Sequence, residues 1–138
     1  VPTPLRTGAA VHKFSAKRKV WQERFACLAD GKGAQKEFRW SSDLKGRSVV
    51  GRGARALAVR DLTRVSFGGE LLPADRRPPS HPWCCFGLWA HHRSYFFWTP
   101  VELDAEAFVV GLSMLAPSSV VPTISRQDVR LYRGRQKL

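Results

Sequence analysis

The sequence predicts a mainly β domain that ends in one α-helix. Short runs rich in aromatic and β-branched residues recur along the chain, and glycine- or proline-containing turns separate them, which is typical of antiparallel strands. Helix signals are confined to one segment near the C-terminus. The chain has 138 residues, 43% of them hydrophobic and 11% aromatic, which is enough to bury a core without disulfide bridges. We therefore expect one folded domain built of strands and covered by one helix.

The first part of the chain predicts three strands in an antiparallel meander. Residues 1–8 contain two prolines and a glycine and are expected to be a flexible lead-in. A short strand over residues 9–14 precedes a stronger one over residues 21–28, and a third lies in the segment KEFRWSS. The turn-forming sequence DGKG separates the second strand from the third.

The middle of the chain predicts one or two strands between two irregular segments. Residues 42–55 contain three glycines and four cations with little apolar periodicity, so a mobile loop is expected there. Apolar residues between 57 and 67 predict one or two strands with a break near Asp61. The segment LLPADRRPPSHP is proline-rich and is expected to be a long irregular connection.

The last predicted elements are a hairpin and the helix. The dense segments WCCFGLWA and RSYFFWT predict two strands joined through a pair of histidines. Thr99, followed by Pro100 and Glu102, has the pattern of a capping box, which predicts a helix over about residues 100–116. The stripe expected to pack on the core recurs at helical spacing and consists of Phe108, Leu112 and Leu115.

The charge of the chain points to a polyanionic partner. Lysine and arginine total 23 against 11 acidic residues, which gives a formal net charge of +12 and a pI of about 10.7. Such a surface attracts nucleic acid, anionic lipid or an acidic protein face, and charge alone does not choose among them. Residues 117–138 are predicted to be a basic C-terminal extension, either disordered or docked back on the domain, in which VRLYRGR is a candidate strand.

Residue types with catalytic or metal-binding potential lack the spacing that such sites need. The three cysteines include no CxxC pair and the four histidines no HxxxH or HExxH pattern, so we expect neither a metal site nor a cofactor. Without a GxSxG or GK[ST] motif, we expect no enzymatic activity. The odd number of cysteines favours reduced thiols and a cytoplasmic location. The sequence contains no run of about 18 apolar residues, so we expect no transmembrane helix. We also expect that the chain is a module of a larger protein.

Several residue patterns accompany this order of elements. They are Trp21-x-Glu23-Arg24-Phe25-x-x-Leu28, Trp40-x-Ser42, Asp61-Leu62-x-x-Val65-x-x-Gly68, Cys85-Phe86 and Ala105-x-x-Phe108-Val109-x-Gly111-Leu112. Together they resemble the pleckstrin-homology (PH) domain, and the phospholipase C type of that domain most closely, over residues 9–116. The resemblance implies a partly open barrel of seven antiparallel strands in two orthogonal sheets, with the C-terminal helix plugging one end.

In PH domains the open end of the barrel is a mouth formed by the β1/β2, β3/β4 and β6/β7 loops, where many members hold phosphoinositide headgroups. The corresponding loops here are residues 14–20, 42–56 and 91–93, and all three are basic, as loops of any protein with a net charge of +12 would tend to be. Lysine and arginine bind phosphate through charge-assisted hydrogen bonds. The resemblance and the loop positions together imply eight headgroup contacts: Lys13, Lys17, Arg18, Lys19, Arg24, Lys45, Arg47 and Arg93.

The alternation of side chains along a strand predicts which way the Arg24 side chain points. Residues of one parity share a face, so Arg24 points the same way as Ala26 and Leu28 but lies nearer the mouth. If those two residues face the core, an arginine at the rim needs an anion or hydrogen-bond acceptors, and in PH domains this strand arginine contacts the headgroup. The alternative is that Arg24 pairs with Glu23, Glu37 or another acid, or reaches water.

The predicted function is recruitment of a larger protein to anionic membrane, cytoplasmic or cytoskeleton-associated. Headgroup-binding PH domains usually place another cation two residues before the strand arginine, and Gln22 occupies that position here, which favours weak, charge-driven binding. The alternative is an adaptor that binds an acidic protein, with lipid irrelevant. Nonspecific nucleic-acid binding by the basic loops and tail is the third and least favoured class.

Overall fold

The computed structural model of the chain describes residues 3–31, 33, 35–42, 55–69, 72, 82–91, 93–120 and 122–124. Two helices and eight strands lie in these ranges. In chain order they are α1 (Thr3–Thr7), β1 (Ala9–Ser15), β2 (Val20–Asp30), β3 (Lys36–Ser41), β4 (Arg55–Ala58), β5 (Leu62–Phe67), β6 (Cys85–Ala90), β7 (Arg93–Trp98), α2 (Glu102–Leu115) and β8 (Pro122–Ile124). Short 3₁₀ turns lie at Val59–Asp61 and Pro82–Cys84.

All eight strands belong to one open sheet in the order β4-β3-β2-β1-β7-β6-β5-β8. Neighbouring strands are antiparallel except β5 and β8, which are parallel. The two halves of the sheet meet between β1 and β7 at His12 with Trp98 and Lys13 with Phe97. The predicted architecture, a mainly β, partly open barrel capped by a C-terminal helix, is confirmed. The predicted seven strands in two sheets become, among the described residues, eight strands in one hydrogen-bonded sheet.

The strands begin and end close to the predicted positions. The predicted break near Asp61 is the 3₁₀ turn at Val59–Asp61, which separates β4 from β5. Arg55 and Ala56 were assigned by the sequence pattern to a loop, but they start β4 because each pairs with a residue of β3. The remainder of that predicted loop, residues 43–54, lies outside the described residues, as does most of LLPADRRPPSHP.

Four fully buried phenylalanines from different elements form the centre of the core. The ring of Phe38 on β3 lies edge-on to Phe97 on β7 at 5.7 Å and to Phe108 on α2 at 5.6 Å between centroids. Phe86 on β6 stacks on Phe97 at 5.0 Å and on Phe108 at 5.6 Å. Aromatic pairs at such separations add about 0.5–1.5 kcal/mol each beyond the burial of their area. These contacts fix α2 on the strands.

Helix α2 differs from its predicted form at both ends. It begins at Glu102 with Val101 as N-cap, and no side chain caps it. The buried hydroxyl of Thr99, predicted to accept from the first amides, instead donates to the carbonyl oxygens of Val101 at 2.8 Å and Cys84 at 3.4 Å. Leu115 shares the side of the helix that carries Phe108 but is 37% exposed, and it is the last residue of α2. The core-facing residues of α2 are Ala105, Phe108, Val109 and Leu112.

Both ends of the described chain dock on the domain. Residues 3–7, predicted as part of a flexible lead-in, form α1, and that prediction is wrong for them because Leu5 is fully buried in the core. Beyond α2, Val120 is also part of the core and β8 pairs with β5. The first part of the predicted extension therefore docks back on the domain. Residues 125–138, which include VRLYRGR, lie outside the described residues.

Candidate anion-binding site

A cavity of about 580 Å³ opens between β1, β2 and β7, beside the starts of β4 and of the β1/β2 loop. A smaller cavity of about 170 Å³ shares several of its residues. No Asp or Glu is among the described residues that line the larger cavity. Its cationic lining residues are Lys13, Lys17, Arg24, Arg55 and Arg93. The described part of the cavity wall therefore concentrates positive charge.

Three neighbouring strands change from apolar to cationic along the same inward face. Each strand carries a fully or almost fully buried apolar residue and, two or four positions away, a cation that lines the cavity. On β1, β2 and β7 the pairs are, in turn, Val11 and Lys13, Ala26 and Arg24, and Phe97 and Arg93. Because side chains at even spacing share a face of a strand, the apolar interior gives way to the cationic cavity on all three strands.

The structure brings part of the predicted set together. The predicted residues that line the cavity are Lys13, Lys17, Arg24 and Arg93. Arg18 and Lys19 lie in the adjoining β1/β2 loop but are exposed and do not line it. Lys45 and Arg47 lie outside the described residues. Arg55 was not in the predicted set; it lines the cavity because it starts β4, and its place in a cationic segment was the only signal for it.

Lys13 lies where the positive charges are most crowded. Burial lowers the pKa of its ammonium group below 10.5, and the guanidinium groups of Arg24, Arg55 and Arg93 lower this pKa further. Like charges act in this way when they are close and no anion compensates them. The Nζ of Lys13 donates a hydrogen bond to the backbone oxygen of Phe14 at 3.2 Å. These four cations form a coupled cluster whose mutual repulsion a bound anion would relieve.

Arg24 is held by neutral acceptors. Its Nη2 donates to Oε1 of Gln22 at 2.9 Å, and its Nη1 donates to the backbone oxygen of Glu23 at 2.6 Å. Glu37, a candidate partner on sequence grounds, accepts instead from Arg39 at 2.7 Å. In the part of the chain that the structure describes, Arg24 thus has no carboxylate partner. Gln22 orients the guanidinium without neutralising its charge.

Tyr95 contributes an aromatic surface to the cavity. Lys13 Nζ lies 5.9 Å and Arg93 Cζ 5.6 Å from the centroid of its ring. The ring of Trp40 packs against the Tyr95 ring with 5.1 Å between centroids. Cation–π contacts of this kind contribute about 0.5–1 kcal/mol at exposed sites and use no hydrogen-bond donor. Both cations therefore keep N–H groups for an anion, a role for Tyr95 that the sequence pattern did not indicate.

The described residues do not favour a metal site, a reactive thiol or a membrane-spanning helix. No group of three or more His, Cys, Asp or Glu side chains within the described ranges is placed to hold a metal ion. The three cysteines are buried thiols, and burial raises the pKa of Cys27, which disfavours the reactive thiolate form. None of the helices that the structure describes is long and apolar enough to cross a membrane.

Comparison with known proteins shows similarity of fold. Protein-family models give no match, and curated sequences give no significant relative. The structure of inner membrane complex sub-compartment protein 3 (ISP3) from Toxoplasma gondii matches with a TM-score of 0.53 and 18% identity, over 80% of this chain and 74% of that chain. PLC21, a phospholipase C of L. pealei, matches with a TM-score of 0.56 and 14% identity. That match covers 81% of this chain but only 15% of PLC21. Similarity to a phospholipase C, which contains a PH domain, is consistent with a PH-like fold.

Proposed function

We propose that the chain is a non-catalytic PH module of the phospholipase C type, which recruits a larger protein to the cytoplasmic face of an anionic membrane. In this proposal a phosphoinositide headgroup occupies the cationic cavity. The observation that carries it is the convergence of five cations on one cavity whose described lining has no carboxylate.

The physical properties of the cavity suit a small polyanion. Its volume of about 580 Å³ falls within the range of about 300–1,000 Å³ that is usual for small-molecule sites. Hydrogen bonds between charged groups contribute about 1.5–3 kcal/mol each. A bound anion would also raise the lowered pKa of Lys13 and remove its repulsion with the neighbouring arginines. A monovalent anion would compensate only part of this charge, so a ligand with several phosphates is favoured.

The β1/β2 loop adds a second, less selective attraction. Lys17 lines the cavity, while Arg18 and Lys19 are exposed beside it. Each basic residue near an anionic bilayer contributes about 1 kcal/mol whatever the headgroup. The loop would therefore attract any anionic membrane, and the cavity would select phosphorylated headgroups. The structurally similar ISP3 is a protein of the inner membrane complex, which agrees with a role at a membrane.

Cosedimentation with two kinds of vesicle tests the proposal. One contains a polyphosphorylated phosphoinositide, and the other contains phosphatidylserine at the same total charge. Arg24→Ala should weaken binding to the phosphoinositide vesicles at least about tenfold, because one charge-assisted contact is lost. Arg18→Ala removes the same charge outside the cavity and is the matched control. It should weaken binding to both vesicles by at most about fivefold.

Equal binding of the wild type and Arg24→Ala to phosphoinositide vesicles would contradict the cavity as the binding site. Equal losses for both variants on both vesicles would show diffuse charge attraction instead. If both the wild type and Arg24→Ala retained one acidic protein in stoichiometric amount without lipid, the adaptor function would replace the membrane function.

A further inference from the structure

Helix α2 is apolar on both of its long sides, although only one side packs on the core. On the side opposite Phe108, Leu103 is 68%, Val110 46% and Met114 74% exposed, with Ala107 between them. A helix that is apolar all round is normally buried on all sides. We call Leu103, Ala107, Val110 and Met114 the outer stripe. The outer stripe is therefore an exposed apolar face on a helix whose opposite face is buried.

The intervals between the residues of the outer stripe are the same in both directions along the helix. Its members are four, three and four residues apart, which is the spacing of the seam between two packed helices. The stripe spans about 16 Å of helix. An antiparallel copy of α2 would place Leu103 opposite the partner's Met114, and Ala107 opposite the partner's Val110. Because each contact is then repeated by the twofold axis, the stripe is complementary to itself.

The charges of α2 also suit a second copy in the antiparallel orientation. The helix carries no lysine or arginine, so its outer side lacks the positive charge that would repel another chain of net charge +12. Its acidic residues all lie in the first half, and residues 107–115 are uncharged. A parallel pair would bring the two acidic halves together, whereas an antiparallel pair places each acidic half opposite the uncharged half of its partner. The acidic residues are Glu102, Asp104 and Glu106.

We propose that the outer stripe is a self-association surface, through which two copies of the chain pair by antiparallel α2 helices about a twofold axis between Ala107 and Val110. No residue of α2 lines the cationic cavity, so pairing does not depend on the proposed function. A single helix from each copy gives a small interface compared with a standard one of about 1,600 Å². The dimer is therefore weak and depends on protein concentration.

Sedimentation velocity of the 138-residue chain over a concentration series tests the pairing. The wild type should shift from monomer to dimer as its concentration rises. Val110→Glu places two carboxylates near the twofold axis and should raise the dimer Kd at least about tenfold. Val20→Glu is the matched control, because Val20 is 47% exposed on β2 and lies off the stripe, so the same change should leave the Kd unaltered. Circular dichroism shows whether each variant is folded.

Disulfide trapping tests the orientation. The natural cysteines are buried, so an exposed cysteine introduced on the stripe reacts selectively. A mixture of Leu103→Cys and Met114→Cys chains should form a mixed disulfide, and neither variant should crosslink by itself. Crosslinking of Leu103→Cys alone would contradict the antiparallel arrangement. A wild type that stays monomeric at its highest soluble concentration, or a dimer that survives Val110→Glu, would overturn the proposal.

Discussion

The role of Gln22 beside Arg24 becomes clear from the hydrogen bond between them. In the sequence, Gln22 occupies a position where another cation is expected, which suggests a weakened site. In the structure its side-chain oxygen accepts a hydrogen bond from Arg24, so it positions the arginine. A carboxylate in its place would neutralise the guanidinium, and a second cation would repel it. A neutral acceptor therefore keeps Arg24 both ordered and charged.

Lys13 provides a test of whether the cationic cluster opposes folding. Lys13→Met keeps most of the apolar stem and removes the charge that Arg24, Arg55 and Arg93 repel. At neutral pH the variant should gain about 0.5–1 kcal/mol in free energy of unfolding, as measured by urea denaturation. Its binding to phosphoinositide vesicles should fall at least about tenfold, because a cationic contact is lost. A gain in stability with a loss of binding is typical of a binding site.

The difference in stability between Lys13→Met and the wild type should depend on pH. The folded-state pKa of Lys13 lies below its ordinary value of 10.5. The charged ammonium group of Lys13 therefore destabilises the folded state by its full amount below the folded-state pKa. Above pH 10.5 this destabilisation is absent. The stability difference between Lys13→Met and the wild type should decrease as the pH rises through this range. Lys17→Met, at an exposed position, is the control and should not change stability; a loss of stability in Lys13→Met would contradict the interpretation.

At the scale of elements, the junction between α1 and β1 depends on Gly8. Its φ is +87°, and its N–H donates to the carbonyl oxygen of Pro4 at 2.9 Å, which ends α1. A Cβ at this position would overlap the ring of Phe25. Gly8 thus approaches β2 closely at the point where α1, which carries the buried Leu5, joins β1.

Gly8→Ala should therefore lower the free energy of unfolding by about 2–4 kcal/mol, since strain from the positive φ adds to the overlap. Gly33→Ala is the control, because Gly33 has a φ of +66° but nothing within 4 Å of an added Cβ. It should lose only about 1–2 kcal/mol, from backbone strain alone. Chemical denaturation of both variants measures the difference, and equal losses would show that contact with Phe25 is unimportant.

At the scale of the whole molecule, β8 covers one edge of the sheet. It pairs with β5 from Val65 with Pro122 to Phe67 with Ile124. An uncovered strand edge offers hydrogen-bonding groups to other chains. Pro122 has no N–H to offer, which suits a strand at the new edge. The C-terminal segment thus completes the sheet and, through Val120, the core.

Two truncated chains test this role. A chain that ends at Pro117 should have a free energy of unfolding about 2–4 kcal/mol lower than one that ends at Ile124, because it loses the burial of Val120 and the hydrogen bonds of β8. Urea denaturation measures the difference, and light scattering should show more aggregation of the shorter chain. Equal stability of the two chains would mean that β8 contributes nothing to the fold.

The sequence by itself determined the elements whose signals are local. Alternation and turn residues predicted β1 to β3 and β5 to β7 closely and the second half of β4, and helical spacing predicted α2 with Phe108 and Leu112 on its buried side. The sequence also determined that the chain is cationic, because the net charge is the sum of the residue charges and does not depend on the fold. Local signals suffice here because a strand or a helix places side chains at fixed periods along its own backbone.

Only the tertiary structure decided which residues meet. Arg55 joined the cavity because β4 pairs with β3, and Leu5 reached the core because α1 docks on it. The hydroxyl of Thr99 reached the carbonyl oxygen of Cys84 because β7 and β6 lie side by side. Each outcome depends on neighbours that are distant in the chain, and no periodicity within one segment encodes them. The positive charge was evident from the sequence, but the convergence of five cations on one cavity required the fold.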